Sequence, residues 1–205
     1  VKQVRVKRSH LNEWYIYVIT DASPKSYTKT HDGASVGIDF GLKTYMTFSD
    51  GEKLSHPQFL KRDIKKLKKI SRRHSRCAKG SHHRERSRLA LCRFYEYVSD
   101  KRRDFQWKLA HDLCRRFDTI FIEDLSLNGM SRLWGRKMSD LGHSLFCNIL
   151  EQVADKYGCT VHRINRWFPS SKLCDCGYKK DNLSLNDRIW VCPQCGQIHD
   201  RDVHA

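Results

Sequence analysis

No run of apolar residues in this sequence approaches the roughly 18 residues that a membrane-spanning helix needs. The sequence also has no signal peptide, no internal repeat and no low-complexity tract. We therefore expect a soluble intracellular protein with no membrane partner. The chain begins at Val1 rather than at a methionine, and we expect it to be part of a longer protein.

Acidic residues are scarce: 23 Asp and Glu stand against 39 Lys and Arg, which gives a net charge of +16. Residues 61–103 contain 17 basic and 4 acidic side chains, so +13 of this excess lies in one segment. A charge run is ordinarily a solvated helical face, but an excess this large repels itself unless phosphates neutralise it. The segment therefore predicts a nucleic-acid-binding surface. Its candidate binding residues are Lys65, Lys66, Lys68, Lys69, Arg72, Arg73, Arg76, Arg84, Arg86 and Arg88.

The nine cysteines do not have the pattern of a disulfide scaffold, because five of them are scattered singly. The other four form two close pairs, Cys174 with Cys176 and Cys192 with Cys195, separated by 15 residues. This spacing is typical of a zinc ribbon, in which each pair occupies a tight turn and the metal joins two short hairpins. We expect structural zinc and a reducing compartment.

The N-terminal half is predicted to begin with short strands and to continue with basic helices. Residues 14–20 predict a strand that pairs with residues 2–7 across a turn, and residues 35–39 predict a buried strand with residues 44–49 as its hairpin partner. Residues 58–117 predict helices, with a polar break near residues 79–83 and a long helix from about Glu85. The apolar stripe of that helix is predicted to contain Leu91, Phe94, Val98, Phe105, Leu109 and Leu113.

The C-terminal half predicts a βαβ arrangement. Residues 119–123 form an apolar run that follows a helix and ends at an acid, which is typical of a parallel strand. A helix then ends at Gly158, and residues 159–164 predict another strand. The fold class is therefore α/β. The apolar face of this helix is predicted to contain Leu145, Ile149, Val153 and Tyr157.

Carboxylates follow or end several of these elements. Asp39 and Glu123 each end an apolar strand, whereas Asp200 and Asp202 follow the cysteine pairs at the start of a predicted helix. Most acids are solvated, but an unpaired carboxylate at the end of a buried strand is costly. Magnesium takes oxygen ligands and leaves coordination positions for phosphate and water, so the pattern indicates a metal-dependent nuclease site.

Three blocks of the sequence carry a family resemblance. Residues 36–51, 108–130 and 169–205 read VGIDFGLKTYMTFSDG, KLAHDLCRRFDTIFIEDLSLNGM and PSSKLCDCGYKKDNLSLNDRIWVCPQCGQIHDRDVHA. In this order they resemble the OrfB/TnpB family of insertion-sequence proteins, and they are similar to type V CRISPR effectors.

The resemblance implies an RNase H-like (RuvC) fold with inserted basic helices and a C-terminal zinc ribbon. It implies a remnant of an oligonucleotide-binding (wedge) domain at residues 1–20 and a nuclease domain at residues 34–168 that contains the basic segment 58–117. It places the zinc ribbon at residues 169–199 and the last acidic motif at residues 200–205.

The resemblance also implies the chemistry. Asp39, Glu123 and Asp202 correspond to the catalytic acids that hold Mg²⁺, and Cys174, Cys176, Cys192 and Cys195 to the ligands of structural Zn²⁺. The family carries a transposase label, and its members act as RNA-guided DNA endonucleases. The expected partners are therefore a DNA target and a guide RNA from the transposon end, in the cytoplasm of a prokaryote near the nucleoid.

The sequence departs from the family pattern at two places. The first cysteine pair, Cys174-Asp175-Cys176, is one residue shorter than C-x-x-C, and His199 is an alternative zinc ligand. His204 stands where the family usually has asparagine.

Two other functions are considered. A non-cleaving RNA- or DNA-binding protein would have the basic helices with a vestigial site, but all three acids are present, which favours catalysis. Strand transfer by a nucleophilic tyrosine with a paired-histidine metal site fits poorly, because His82 and His83 lack an intervening apolar residue and are predicted to lie in a basic loop.

Overall fold

The structure is a computed structural model of the chain. It describes residues 1–22, 27–29, 33–42, 44–124, 135, 140–165, 167–183, 187 and 189–200. The chain divides into two units. The first comprises residues 1–26 and 58–108, and the second comprises residues 27–57 and 109–205. The predicted domain limits stay predictions.

The first unit begins with a β-hairpin of strands β1 (Gln3–Arg8) and β2 (Trp14–Ile19), which pair antiparallel along their whole length. Ser9 shapes the turn, because its hydroxyl accepts hydrogen bonds from the backbone N–H groups of Leu11 and Glu13. The predicted hairpin is confirmed.

Three helices follow, and the long one starts earlier than predicted. They are α1 (Phe59–Arg62), α2 (Ile64–Arg76) and α3 (His82–Arg116). The sequence places the start of the long helix at about Glu85, whereas α3 begins at His82. The prediction that His82 and His83 lie in a loop is therefore wrong, because both belong to the first turn of α3. Ser81 explains the difference, because its hydroxyl accepts a 3.2 Å hydrogen bond from the N–H of Arg84 and so caps the helix.

The predicted apolar stripe of α3 is partly correct. Half of its six positions are partly exposed, and the buried ones are Phe94, Val98 and Leu113. Gln106 and Ala110 are fully buried as well, although a search for large apolar residues misses them.

The second unit contains a mixed five-stranded sheet in the order β5-β4-β3-β6-β7. Its strands are β3 (Ser35–Phe40), β4 (Thr44–Phe48), β5 (Lys53–Ser55), β6 (Thr119–Glu123) and β7 (Thr160–Ile164). β3, β4 and β5 form an antiparallel meander, whereas β6 runs parallel to both β3 and β7. The predicted parallel strand at residues 119–123 is confirmed.

The connection between β3 and β4 requires a glycine. A Cβ atom at Gly41 would lie 2.7 Å from the carbonyl oxygen of Thr44, closer than real Cβ contacts allow. The backbone can therefore return to the sheet directly after Asp39 and Phe40 only without a side chain at this position.

Helix α4 (His143–Tyr157) precedes β7 and ends at Gly158, whose φ of 66° is the left-handed conformation that glycine adopts without strain. Three of the four apolar positions predicted for it, Ile149, Val153 and Tyr157, are buried. They belong to a core that also holds Phe146 and, on the sheet, the alternate strand residues Val36, Ile38, Ile120 and Ile122.

The cysteine-rich segment contains a 3₁₀ turn (Ser170–Lys172) and a hairpin of strands β8 (Ile189–Val191) and β9 (Ile198–Asp200). The prediction of a helix start at Asp200 is wrong, because Asp200 is the last residue of β9, paired opposite Ile189. Asp202 and His204 lie outside the described residues.

The predicted α/β fold class is confirmed by the mixed sheet and its helices. Within the described parts of the chain, no helix is both long enough and apolar enough to cross a membrane.

Candidate functional site

Asp39 and Glu123 are brought together by the register of two parallel strands. Ile38 of β3 is paired with Ile122 of β6, so the next residue on each strand is one of the two acids. Side chains alternate across a strand, so both acids point to the face opposite the buried Ile38 and Ile122. One cleft is lined by both acids, together with Gly37, Ile38, Phe121, Ile164, Asn165 and Phe168.

The surroundings of this cleft disfavour a negative charge on Glu123 when Asp39 is also ionised. Burial raises the pKa of Glu123, and repulsion from Asp39 and from Asp124 raises it further. A cation between the acids would relieve this repulsion, and carboxylate oxygens are the donors that magnesium takes. The donor set therefore fits a divalent cation. The third predicted acid, Asp202, lies outside the described residues.

A second cleft beside Glu123 contains residues that sequence reasoning missed. It is lined by Phe40, Glu123, Asp124, His143, Ser144, Cys147, Asn148 and Arg163. His143 is only 3% exposed, and its ring stacks on Tyr45 with centroids 5.5 Å apart. Burial and the neighbouring His56 lower the pKa of His143 to about 4, so the ring is neutral at physiological pH. A lone histidine at a helix start gives no sequence signal for this placement.

The four predicted zinc ligands converge. One sulfur atom from each of Cys174, Cys176, Cys192 and Cys195 lies within 4.8 Å of the others, a cluster that could hold a metal such as zinc. Two sulfur pairs across the cluster are 3.5 Å and 3.6 Å apart.

The shortened first pair still forms a tight turn. Gly177 adopts a φ of 86°, and its N–H donates to the carbonyl oxygen of Cys174 at 2.9 Å. The N–H of Cys174 donates to the carbonyl oxygen of Tyr178 at 2.8 Å, which closes the turn. The left-handed glycine directly after Cys176 therefore allows a one-residue spacing between the two sulfurs.

His199 contacts the cluster from outside it. Its Nε2 lies 3.1 Å from the sulfur of Cys174, and its ring stacks on Trp190 with centroids 4.5 Å apart. Since four cysteine sulfurs already make up the cluster, His199 is placed to hold one sulfur rather than to replace a ligand.

Burial opposes ionisation of Cys192, but the backbone N–H groups of Cys195 and Gln194 lower the pKa of its thiol to about 7.

Seven of the ten predicted nucleic-acid-binding residues lie on α2, and all seven are exposed. They are Lys65, Lys66, Lys68, Lys69, Arg72, Arg73 and Arg76. On α3, Arg86 is exposed, whereas Arg84 and Arg88 are partly buried and interact with neighbouring groups of the chain. Arg84 donates to the carbonyl oxygen of Cys77 at 3.1 Å, and Arg88 pairs with Glu85 at 2.7 Å. The exposed part of the predicted binding set therefore lies mainly on α2.

The chain is similar to known proteins in sequence and in fold. Residues 17–133 match the family OrfB_IS605, described as "Probable transposase", and residues 143–205 match the Cas12f1-like TNB domain. A Streptomyces pristinaespiralis protein whose curated name proposes an RNA-guided DNA endonuclease is 38% identical over 98% of this chain and 50% of its own length. The mimivirus TnpB-like protein L79 is 27% identical over 93% of this chain and 39% of its own length.

The chain thus spans about half the length, or less, of these curated relatives. A cryo-EM structure of a Cas12f1–sgRNA–target DNA complex contains a chain that matches with a TM-score of 0.55 at 16% identity, over 89% of this chain and 39% of that one. At this identity the likeness concerns the fold alone.

The cysteine cluster gives a testable prediction. The purified chain should contain about one zinc ion, and Cys192→Ser should lose it, because a three-sulfur site lacks the closed tetrahedron of structural zinc. Elemental analysis after gel filtration measures the ratio. Cys92→Ser is the matched control, since Cys92 lies on α3 outside the cluster and should leave the zinc content unchanged. A zinc-free wild-type chain that is otherwise folded would contradict the prediction.

The raised pKa of Glu123 gives a second prediction. The pKa of Glu123 is higher in the folded chain than in the unfolded chain, so folding favours its protonated form. The stabilisation that protonated Glu123 contributes is fully present below the unfolded pKa, which is the ordinary value for glutamate. This stabilisation is lost as the pH rises through the raised pKa of the folded state. Glu123→Gln should therefore increase the free energy of unfolding of the metal-free chain at pH 7, and the increase should shrink at acidic pH.

Urea unfolding in a chelator at several pH values measures this effect. Glu151→Gln is the control, because Glu151 pairs with Arg163 at 2.6 Å and its neutralisation should bring no gain at pH 7. An equal gain at every pH would show that Glu123→Gln acts through packing instead of charge.

Proposed function

Because the chain belongs to the OrfB_IS605 family of probable transposases, we propose that it is part of an RNA-guided DNA endonuclease that hydrolyses DNA phosphodiesters at Asp39, Glu123 and Asp202. The observation that carries the proposal is the adjacency of Asp39 and Glu123 at the ends of two parallel strands, in one cleft. The curated name of the Streptomyces protein supports the reaction class.

Each acid has a role in this proposal. Asp39 and Glu123 supply carboxylate oxygens from a rigid sheet, and Asp202 would add a third carboxylate from the motif that follows the cysteine cluster. Magnesium ions bound there would activate the attacking water and stabilise the attacking and leaving oxygens. The buried face of the sheet fixes the first two acids, so little reorganisation is needed when substrate binds.

The basic surface of α2 would hold nucleic acid through its phosphates. Exposed lysines and arginines along one helix give strong binding with little sequence preference, as a guide RNA paired with target DNA requires. The proposed partners are a DNA target and a guide RNA from the transposon end. The proposed location is the prokaryotic cytoplasm near the nucleoid.

The cysteine cluster would hold a structural Zn²⁺ ion. The hairpin of β8 and β9 is short, and its packed interior is small: buried Cys174, Trp190 and Cys192 with partly buried Tyr178 and Leu183. A segment with so small a core depends on a metal for local folding. Zinc would thereby support the residues that follow β9, which include Asp202.

The acids are tested by cleavage. Asp39→Ala, Glu123→Ala and Asp202→Ala should each lower the rate of magnesium-dependent DNA cleavage by about a thousand-fold or more, because each removes several kcal/mol of metal-based stabilisation. The measurement is cleavage by the protein co-expressed with the RNA of its transposon end. Binding of DNA and RNA should remain within about two-fold of wild type, because catalytic acids add no attraction for phosphate.

Asp200→Ala is the matched control for Asp202, since it removes a neighbouring acid of the same motif and should reduce cleavage far less. Full activity of both Asp39→Ala and Glu123→Ala would overturn the nuclease proposal. Wild-type protein that binds DNA with its guide but does not cleave it would favour a non-cleaving binder.

The basic surface is tested by salt dependence. Changing Lys65, Lys68, Lys69, Arg72, Arg73 and Arg76 to glutamine should flatten the slope of log affinity against log salt by about five units, because each lost phosphate contact removes about 0.9. Fluorescence anisotropy with duplex DNA between low and moderate salt gives the slope. Lys108→Gln is the control, since Lys108 pairs with Asp104 at 2.7 Å. An unchanged slope in the six-fold variant would place the nucleic acid elsewhere.

A further inference from the structure

We propose that Trp167 and Phe168 form a stacking site for an unpaired nucleobase beside the carboxylate cleft. The ligand class is a single-stranded nucleotide, and we assign it to the DNA strand that is cut. The inference rests on the proposed function, because it puts the base next to the phosphodiester on which Asp39 and Glu123 would act.

The turn that carries the two rings is fixed by hydrogen bonds. Asn165 directly follows β7, and its side-chain oxygen accepts from the N–H of Trp167 at 2.9 Å. Its backbone carbonyl oxygen accepts from the N–H of Phe168 at 2.8 Å. The backbone that carries both rings is therefore held by Asn165, so the turn itself does not have to become ordered on binding.

Both rings are unusually exposed. Trp167 is 84% exposed and Phe168 is 52% exposed, whereas Trp190 in the cysteine-rich segment is 3% exposed. Large aromatic side chains usually bury most of their surface, and a pair left in water next to a cleft indicates a binding surface.

The position of the turn identifies the ligand. Phe168 and Asn165 line the same cleft as Asp39 and Glu123. Phe121, which also lines it, stacks on His162 with ring centroids 5.2 Å apart and planes at 18°. The cleft thus has an acidic part, suited to a cation-bound phosphate, and an aromatic part. A nucleotide combines these two chemistries in one molecule.

The base must be unpaired. In a duplex, each base is covered by its neighbours, so an aromatic side chain reaches a base face only in a single strand or after base flipping. An apolar protein segment is a poorer occupant, because it would have to cover two carboxylates without neutralising them. Stacking also tolerates any base, which suits an enzyme whose sequence choice is made elsewhere.

The test is binding of single-stranded oligothymidine of about 12 nucleotides, within the usual range for a single-strand site. With calcium in place of magnesium, Trp167→Ala should weaken binding about ten-fold, as expected for one lost stack. Binding of an abasic oligonucleotide of the same length should change less than about two-fold, because its phosphates remain. The salt dependence of oligothymidine binding should also be unchanged. An RNA oligonucleotide should show a smaller loss, since the assigned ligand is the DNA strand.

Three variants control the test. Trp167→Phe should keep most of the affinity because it keeps a ring, and Phe168→Ala should weaken binding in the same base-dependent way. Ile189→Ala removes another large exposed apolar side chain, 66% exposed on β8, and should leave binding unchanged.

Several outcomes would overturn the inference. These are equal losses for the thymidine and abasic oligonucleotides, no loss for either, or an equal loss with Ile189→Ala. A larger loss for RNA than for DNA would reject the assignment to the cut strand. The binding test needs no cleavage, so its failure is distinguishable from failure of the proposed function, which is judged from Asp39→Ala and Glu123→Ala.

Discussion

The parallel pairing of β3 with β6 is the constraint on which the rest of the second unit depends. It aligns Ile38 with Ile122 on the buried face, and the same register sets Asp39 beside Glu123 on the other face. A slip of one residue would expose the isoleucines and bury the acids, so the hydrophobic effect that stabilises the sheet also fixes the acidic pair. Fold stability and the geometry of the site are therefore set by one interaction.

Placing Asp39 and Glu123 side by side destabilises the ionised pair but supplies oxygen ligands for a cation. Repulsion from Asp39 and Asp124 disfavours the ionised form of Glu123, which burial already disfavours. A bound cation would turn the ionised pair into a favourable arrangement, which is why clustered acids at strand ends are a metal-site pattern. In the proposed stacking site, the aromatic rings would add binding that does not depend on charge. A metal-bound phosphate and a stacked base would then be held by independent forces.

Much of this could be predicted from the sequence, because its signals are local. Apolar runs ending in acids predicted β3 and β6, and paired cysteines predicted the cluster. The start of α3 was missed because a single cap, Ser81, extended the helix against its polar composition. The sequence predicts a helix start at Asp200, but pairing with Ile189 across the hairpin overrides local propensity. His143 and Phe168 give no sequence signal, since their significance comes from neighbours distant in sequence.

The cysteine cluster forms although its first pair, Cys174 and Cys176, is separated by one residue instead of two. A one-residue spacing removes a backbone N–H that would otherwise face a sulfur, and two features act in its place. Gly177 takes a left-handed conformation that turns the chain sharply, and His199 lies with its Nε2 3.1 Å from the sulfur of Cys174. His199 belongs to β9 and precedes Asp200, so the residue that steadies the cluster is continuous with the acidic motif. Metal binding would therefore restrain β9, the strand that directly precedes the acidic motif, and in the proposed function the cluster would act on the carboxylate cleft through the backbone of this strand.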